Sequence, residues 1–271
     1  MDFRNLITST RDLASGALLS PWRASNIAAF HLGRSGSRLL GDLLKQHPKI
    51  VWEGELFSPG RLQGIAARWP LLTRNPTGIL RLRMVMAGSR CYGFETQPTQ
   101  VEHLDITLPE YVQRLEILGF RHFIVLERRN HLRRIVSMLV ARRTSQWHLK
   151  PGESAPLVRI ELDVDQLLLS RGRDTRARSL IAHLQREQES VDSLKSILQG
   201  RQHLCLTYED DLAPHPEDAC QRVCDFVGLP YHPVTVRFGK TNPYDLQDVL
   251  KNYSEVEEAL RETPFAWMLE S

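Results

Sequence analysis

Residues 33–37 read Gly-Arg-Ser-Gly-Ser, a pattern in which two glycines flank an arginine and a serine. An apolar run precedes this segment and leucines at helical spacing follow it as far as His47, so a strand, a tight turn and a helix are predicted. In such a turn the backbone N–H groups gather at the helix N-terminus, where unpaired donors and the helix dipole favour an anion. Arg34 adds a positive charge, and Ser35 and Ser37 add hydroxyl donors. The segment therefore predicts a cradle for phosphate or sulfate.

The segment differs from the common nucleotide-binding P-loop, which has four residues between its glycines and then Gly-Lys-Ser/Thr. Only two residues separate Gly33 from Gly36, and no Gly-Lys-Ser/Thr directly follows. A kinase of the P-loop type would need that hydroxyl to hold magnesium. An ordinary strand–turn–helix junction without a ligand is the structural alternative.

Charged residues cluster at two further places along the chain. Glu53 and Glu55 follow the short apolar run 50–52, which places two acids at the end of a predicted strand. Between residues 121 and 150 there are eight arginines and lysines against one acid, Glu127. This basic stretch is either a solvated helix face or a source of cations for a ligand that carries phosphate.

The composition limits the classes of function. The chain has 271 residues, of which 42% are hydrophobic and 25% charged, as is ordinary for a globular protein. Its net charge of +3 is too small for a general nucleic-acid coat, so no nucleic-acid partner is expected. The four cysteines lack metal-binding spacing, and no apolar run of about 18 residues could span a membrane. We therefore expect a cytoplasmic protein with free thiols, no metal site and no membrane span.

Predicted strands alternate with predicted helices along the chain. The strands are expected at 26–32, 50–52, 92–95, 123–126 and 204–208. After the cradle helix, further helices are expected at 61–69, 77–86, 108–118, 131–145, most of 161–198, and 216–227. The alternation predicts an α/β protein with three α/β/α layers around a parallel sheet, forming one domain over residues 26–271. Residues 1–25 are expected to form a helical N-terminal extension.

In parallel sheets of this kind, ligands bind beyond the carboxyl ends of the strands. Four residues follow predicted strands and are therefore expected to share one rim: Arg34, Glu55, Arg129 and Tyr208.

Three separated segments together resemble the sulfotransferases that use 3′-phosphoadenosine 5′-phosphosulfate as donor. Residues 33–40 are similar to the family's 5′-phosphosulfate loop, in which Lys or Arg precedes Ser-Gly-Ser/Thr. Residues 129–137 are similar to its 3′-phosphate motif, an Arg with a Ser eight positions later. Residues 208–212, Tyr-Glu-Asp-Asp-Leu, are similar to its Tyr-Glu-Asp-Leu segment, and the tail from Gly239 to Leu260 resembles bacterial members. The resemblance covers about residues 26 to 269.

The resemblance implies a P-loop-like sulfotransferase fold, with 3′-phosphoadenosine 5′-phosphate as a product and no metal. The implied donor-binding residues are Arg34, Ser35, Gly36, Ser37, Arg38, Leu39, Arg129, Ser137, Tyr208 and Lys240. Arg34 is also implied to stabilise the leaving phosphate, and Tyr208 to lie near the adenine or sugar. Many members have a small polar residue at the position of Arg38, so this arginine either contacts the phosphate or faces solvent.

Sulfuryl transfer also needs a base that takes the proton from the acceptor hydroxyl. The resemblance places this base at a position like that of Glu55, 21 residues beyond Arg34. Glu53 is the nearest rival. The alternative histidines are His31, His103 and His148.

The sequence leaves the acceptor open. It favours a small molecule or glycan, such as a sugar-like alcohol or a natural-product alcohol. A non-catalytic protein that binds the nucleotide would keep the cradles and lose the base. A homodimer is left open.

Overall fold

The computed structural model of the chain describes residues 23, 25–68, 76–147, 149, 153–169, 174–239 and 242–270. The predicted N-terminal helix within residues 1–25 lies outside these ranges, apart from residues 23 and 25, and so do His148 and Lys240.

Five strands form one all-parallel sheet in the order β2-β3-β1-β4-β5. The strands are β1 (Asn26–His31), β2 (Ile50–Glu55), β3 (Cys91–Thr96), β4 (His122–Glu127) and β5 (His203–Thr207). In the register of the sheet, Ala28 of β1 lies opposite Phe94 on one side and Phe123 on the other. Every residue of β1 and β3 is buried, because these strands lie inside the sheet and their apolar side chains point to both faces.

Ten α-helices connect and flank the strands in the described part of the chain. They are α1 (Ser37–Gln46), α2 (Pro59–Arg68), α3 (Pro76–Ala87), α4 (Pro98–Glu102), α5 (Leu108–Ile117), α6 (His131–Thr144), α7 (Leu180–Leu198), α8 (Pro216–Phe226), α9 (Leu246–Val249) and α10 (Tyr253–Arg261). A π-helix follows β5 at Tyr208–Leu212, and a 3₁₀ helix lies at Ala266–Leu269. Three of the helices begin at a residue whose side chain caps the first turn. The side chains of Thr107, Asn130 and Ser179 each accept a backbone N–H in the first turn of α5, α6 and α7, respectively.

The helices pack in layers on the two faces of the sheet. On one face, Phe30 and Phe94 of the strands pack with buried residues of α3, α5 and α7. On the other face, Ile27 and Ile124 pack with the leucines of α1 and with buried residues of α8. The predicted α/β/α architecture around a parallel sheet is therefore confirmed.

A third core lies beside the sheet, where α6 packs against α9, α10 and the segment 153–169. The prediction of helix over most of 161–198 is wrong in its first half, since among the described residues of this range only Leu180–Leu198 is helical. The Asp163 carboxylate accepts the N–H groups of Asp165 and Gln166, which gives the backbone a turn in place of a helix. Leu162, Leu167 and Leu169 are buried in the third core, so the apolar spacing reflects burial of irregular chain.

The strand order creates a crevice at one edge of the sheet. The chain leaves β1 toward β2 on one side, whereas it leaves the neighbouring β4 toward β5 on the other side. The loops after β1 and β4 therefore diverge and open a space at the carboxyl ends of the strands, which is where α/β sheets bind ligands. No helix in the described ranges is long and apolar enough to cross a membrane.

Candidate functional site

A cavity of about 750 Å³ opens at this edge of the sheet, a volume typical of small-molecule sites. Eight of the residues predicted for the site line it: Arg34, Gly36, Ser37, Arg38, Leu39, Glu55, Ser137 and Tyr208. Ser35 and Arg129 are described by the structure and do not line it. Four arginines and two glutamates are among the described lining residues, so cationic groups prevail around the cavity.

The loop between β1 and α1 has an unusual backbone conformation. Gly33, Arg34 and Gly36 have positive φ angles of 78°, 54° and 87°. A Cβ atom on Gly36 would lie 2.9 Å from the Tyr208 ring and 3.0 Å from Leu212. Glycine is therefore required at position 36 both for its backbone conformation and for the close approach of Tyr208.

The loop carries backbone donors that no group of the described chain uses. The N–H groups of Ser35, Gly36, Ser37 and Arg38 form no hydrogen bond in the described ranges, and the first intrahelical bonds run to the Gly36 carbonyl. Unpaired N–H groups at the start of a ten-residue helix are suited to hold an anion, and the cradle inferred from the sequence stays a prediction.

The Ser35 side chain does not reach the cavity. It is fully buried, and its hydroxyl donates to the Gly33 carbonyl at 3.2 Å. Ser35 therefore braces the loop from within, and only its backbone N–H can serve an anion.

Arg34 reaches across the cavity to the neighbouring helix. Its Nε and Nη2 donate to the Ser137 hydroxyl at 3.0 and 2.8 Å, and Nη1 donates to the Trp147 carbonyl at 2.7 Å. Burial, together with the nearby Arg128 charge, lowers the pKa of Arg34 to about 10. The structure thus brings Ser137 together with Arg34, whereas the sequence motif paired it with Arg129.

Arg128, and not its neighbour Arg129, lines the cavity. Its guanidinium lies 4.6 Å from the centre of the Tyr208 ring and lines the cavity. Its Nε is buried and has no hydrogen-bond partner in the described ranges. Burial lowers the pKa of Arg128, because the charged form loses its hydration.

Arg129 points away from the cavity. Its Nη2 lies 2.5 Å from Asp210 Oδ1, and its side chain is 47% exposed. The backbone N–H groups of Arg129 and Asn130 both donate to the Glu209 carboxylate at 3.1 Å. Two acids of the chain, Glu209 and Asp210, therefore contact Arg129, and the binding of a 3′-phosphate by this arginine stays a prediction.

The alternation of side chains between the two faces of β4 is the sequence signal that could have distinguished Arg128 from Arg129. Ile124 and Leu126 face the α1 side of the sheet, whereas Phe123 and Val125 face the other side. The same two-residue alternation, continued from Leu126, places Arg128 on the side of the sheet where α1 and the loop before it lie.

Glu55 is held in a fixed orientation beside the cavity. Its Oε1 accepts from Gln97 Nε2 at 2.9 Å and its Oε2 from Gln100 Nε2 at 2.6 Å. The Gln100 Oε1 atom accepts the backbone N–H of Gln97 at 3.2 Å. The nitrogen of the same side-chain amide is therefore the atom that faces Glu55 and donates to it. The Glu55 side chain is 33% exposed, so the carboxylate is both oriented and accessible. Both glutamines follow β3, and the sequence analysis missed them.

The rival acid, Glu53, is directed elsewhere. The pairing of β2 with β3 shifts register between Glu53 and Glu55, and such a bulge re-aims the side chain beyond it. Glu53 lies 3.3 Å from Arg83 Nε and 3.4 Å from the Tyr92 hydroxyl, and it does not line the cavity.

Two of the three alternative histidines are described. His31 is buried: its Nδ1 accepts the Gly33 N–H at 2.9 Å, and its Nε2 lies 3.4 Å from Glu95 and 3.9 Å from Glu55. Because Nδ1 accepts, the proton of the neutral ring is on Nε2 and faces the two carboxylates. His103 is exposed and does not line the cavity.

The basic stretch after β4 is not a uniformly solvated helix face. Arg134 is buried and pairs with Glu187, and Arg133 contacts Asp245. Glu127, which could have paired with a neighbouring arginine, lies 2.7 Å from Lys195.

The remaining wall of the cavity is largely apolar. Met138, Trp147 and Phe238 line it, and Trp147 is 45% exposed. Phe238 belongs to the segment after α8, which is tethered to α1 because Gln46 and Thr235 exchange two hydrogen bonds of 2.9 Å.

No group of His, Cys, Asp and Glu side chains suited to a metal ion occurs in the described ranges. No protein-family model matches the chain, and no curated protein matches it significantly.

Proposed function

We propose that this chain is a sulfotransferase that moves a sulfuryl group from 3′-phosphoadenosine 5′-phosphosulfate to an acceptor hydroxyl. One observation carries the proposal: a single cavity is lined by the β1–α1 loop, by the half-buried Arg128 side chain and by the oriented Glu55 carboxylate. An anionic donor and a base for an alcohol are the two requirements of this reaction.

The loop would hold the 5′-phosphosulfate end of the donor. Its four unused N–H groups and the Arg34 guanidinium provide donors suited to an anion. Arg128 would meet a second anionic group, and this assignment replaces Arg129 of the sequence motif. The Tyr208 ring beside Arg128 is a surface on which a sugar or base can pack.

Ser137, Arg38, Leu39 and Lys240 remain donor-binding proposals by resemblance. Of these, Ser137, Arg38 and Leu39 line the cavity. The Ser137 hydroxyl already accepts from Arg34, so in this proposal it orients the arginine toward the donor.

Glu55 would act as the general base. Its carboxylate takes the proton of the acceptor hydroxyl while the acceptor oxygen forms its bond to sulfur and the bond between sulfur and the phosphate oxygen breaks. The electron pair of that bond stays on the phosphate oxygen, and Arg34 with the loop N–H groups stabilises the charge. Gln97 and Gln100 keep the carboxylate oriented, which lowers the cost of reaching the reactive geometry.

The acceptor proposed here is a neutral alcohol of a small molecule or glycan. The exposed Trp147 indole at the cavity offers a flat surface for a sugar ring or another small natural product.

The test is incubation of the protein with 3′-phosphoadenosine 5′-phosphosulfate labelled in its sulfuryl group, with a panel of sugars and small alcohols. Transfer of label to an acceptor, abolished in Glu55→Gln, supports the proposal. A protein that binds the nucleotide product and transfers label to no acceptor would be a non-catalytic nucleotide binder. A protein that binds no such nucleotide would contradict the proposal altogether.

A further inference from the structure

We propose that the buried ion pair of Arg134 and Glu187 is a clamp that holds the β1–α1 loop in its anion-binding orientation. Arg134 lies on α6 and Glu187 on α7, and both side chains are 1% exposed. The sequence motif gave Arg134 no role beyond a basic helix face, and Glu187 entered no motif.

The guanidinium of Arg134 joins Glu187 to the backbone of the loop. Its Nε donates to Glu187 Oε2 at 2.6 Å, and Nη2 contacts Oε1 of the same carboxylate. Its Nη1 donates to the Leu32 carbonyl at 3.1 Å and lies 3.5 Å from the Gly33 carbonyl. Glu187 fixes one edge of the guanidinium, and the other edge holds the loop.

The clamp determines the direction of the peptide groups. In a trans peptide the C=O and the next N–H point in opposite directions. The Leu32 carbonyl points to Arg134, and the Gly33 N–H of the same peptide donates to His31 Nδ1. This peptide is therefore fixed at both ends by buried side chains.

The next peptide is held in a similar way. Its carbonyl, on Gly33, accepts the buried Ser35 hydroxyl and faces Arg134. With the carbonyls of both peptides turned toward α6, the loop can turn its following N–H groups, those of Ser35 to Arg38, away from any protein acceptor.

Three charged or titratable groups meet at the clamp. His131 Nδ1 lies 3.5 Å from Glu187 Oε2, and burial lowers the pKa of His131. Burial raises the pKa of Glu187, and the Arg134 charge opposes that rise. The carboxylate depends on the guanidinium for its charge, because an ionised carboxylate alone would be costly at this depth.

The inference rests on the proposed function in its choice of ligand, and it makes Arg134 and Glu187 positioning residues. A simple electrostatic role and the clamp predict opposite results for Glu187→Leu. Removal of a negative charge near an anion site should tighten anion binding if only charge matters. Loss of the clamp should weaken binding, because the loop N–H groups are no longer held in place.

The experiment measures affinity for 3′-phosphoadenosine 5′-phosphate by calorimetry in the native protein, in Glu187→Leu and in the double variant Arg134→Met/Glu187→Leu. The double variant guards against misfolding, since apolar replacement of both partners of a buried ion pair often leaves a protein as stable as before. Denaturant unfolding checks its stability. We expect both variants to bind about tenfold more weakly or worse, while the double variant keeps its unfolding free energy.

Native or tighter affinity in a folded double variant would overturn the clamp. Hydrogen exchange of the Gly33 amide, which donates to His31 Nδ1 in the peptide that Arg134 holds, provides a readout without nucleotide. We expect this amide to exchange faster in the double variant while the β4 amides keep native rates, and unchanged exchange of the Gly33 amide would also overturn the clamp. If the native protein fails to bind the nucleotide, the proposed function fails, and the exchange measurement still decides on the clamp.

Discussion

Nη2 of Arg129 lies 2.5 Å from Oδ1 of Asp210, and this ion pair directs Arg129 to the outside while Arg128 lines the cavity. Two adjacent arginines therefore have different roles. Acids of the chain pair with Arg129, whereas Arg128 lines the cavity together with the β1–α1 loop.

This difference predicts that Arg128→Met and Arg129→Met have unequal effects on nucleotide binding. Arg128→Met should weaken binding of 3′-phosphoadenosine 5′-phosphate by roughly 10- to 100-fold, the value of a hydrogen bond to a charged group. Arg129→Met should change it by about threefold or less, because its exposed ion pair lies outside the cavity. Calorimetric titration of both variants measures the difference. Loss of binding in Arg129→Met alone would restore the assignment made from the sequence motif.

The loop glycine provides a second prediction. Gly36→Ala should destabilise the protein and abolish nucleotide binding, because its Cβ would press on Tyr208 in addition to the cost of a positive φ. Gly200→Ala is the matched control: Gly200 has a φ of +81° and open space around its Cβ position. We expect Gly200→Ala to cost about 1–2 kcal/mol of unfolding free energy and to keep native affinity. Native affinity in Gly36→Ala would show that the loop conformation is not needed for binding.

Catalysis should depend on Glu55 and not on Glu53. Glu55→Gln should lower kcat by roughly 10²- to 10⁴-fold, the usual contribution of a general base, with little change in nucleotide affinity. Glu53→Gln is the control, since its carboxylate contacts Arg83 and Tyr92 away from the cavity. The rate of sulfuryl transfer to an acceptor found in the panel is the measurement. A native rate in Glu55→Gln would exclude this residue as the base.

The lowered pKa of Arg34 predicts a pH dependence of nucleotide affinity. The free protein loses the Arg34 charge as the pH rises through about 10, and an anion must then bind together with a proton. Affinity should therefore stay level from pH 7 to 9 and fall above pH 10, by at most about tenfold per pH unit. The Arg34→Met variant should bind the nucleotide more weakly, and its affinity should show no fall that begins near pH 10. A native profile that stays level to pH 11 would contradict the assignment of Arg34 to the anion.

The lowered pKa of Arg34 affects stability in the opposite direction to nucleotide affinity. At pH values above about 10 and below the ordinary pKa of an arginine side chain, the folded chain carries fewer protons on Arg34 than the unfolded chain. The contribution of Arg34 to the unfolding free energy therefore rises with pH in that window and is unfavourable at neutral pH.

Local sequence was sufficient for most of the fold. The strands predicted at 92–95 and 123–126 and the α1 leucines were identifiable because burial on both faces of a sheet, or on one face of a helix, imposes a local pattern. Residues 161–169 were wrongly predicted as helix because leucines buried in irregular chain can imitate helical spacing.

The site was less predictable, because its details depend on contacts between distant parts of the chain. Gln97 and Gln100 orient Glu55 from another strand end. Glu187 meets Arg134 across 53 positions of sequence. A motif gives residue types at fixed spacing, and it does not reveal which of two neighbouring arginines a remote acid, Asp210, neutralises.

Calorimetric titration of the native protein with 3′-phosphoadenosine 5′-phosphate, with adenosine 5′-monophosphate in parallel, is the decisive experiment for the sulfotransferase proposal. We expect a dissociation constant on the order of 1 μM for the bisphosphate and at least about tenfold weaker binding of the monophosphate, since Arg128 would lose its anionic partner. Absence of binding of the bisphosphate at millimolar concentration would contradict the sulfotransferase proposal. Equal affinity for both nucleotides would contradict the assignment of Arg128 to a second phosphate.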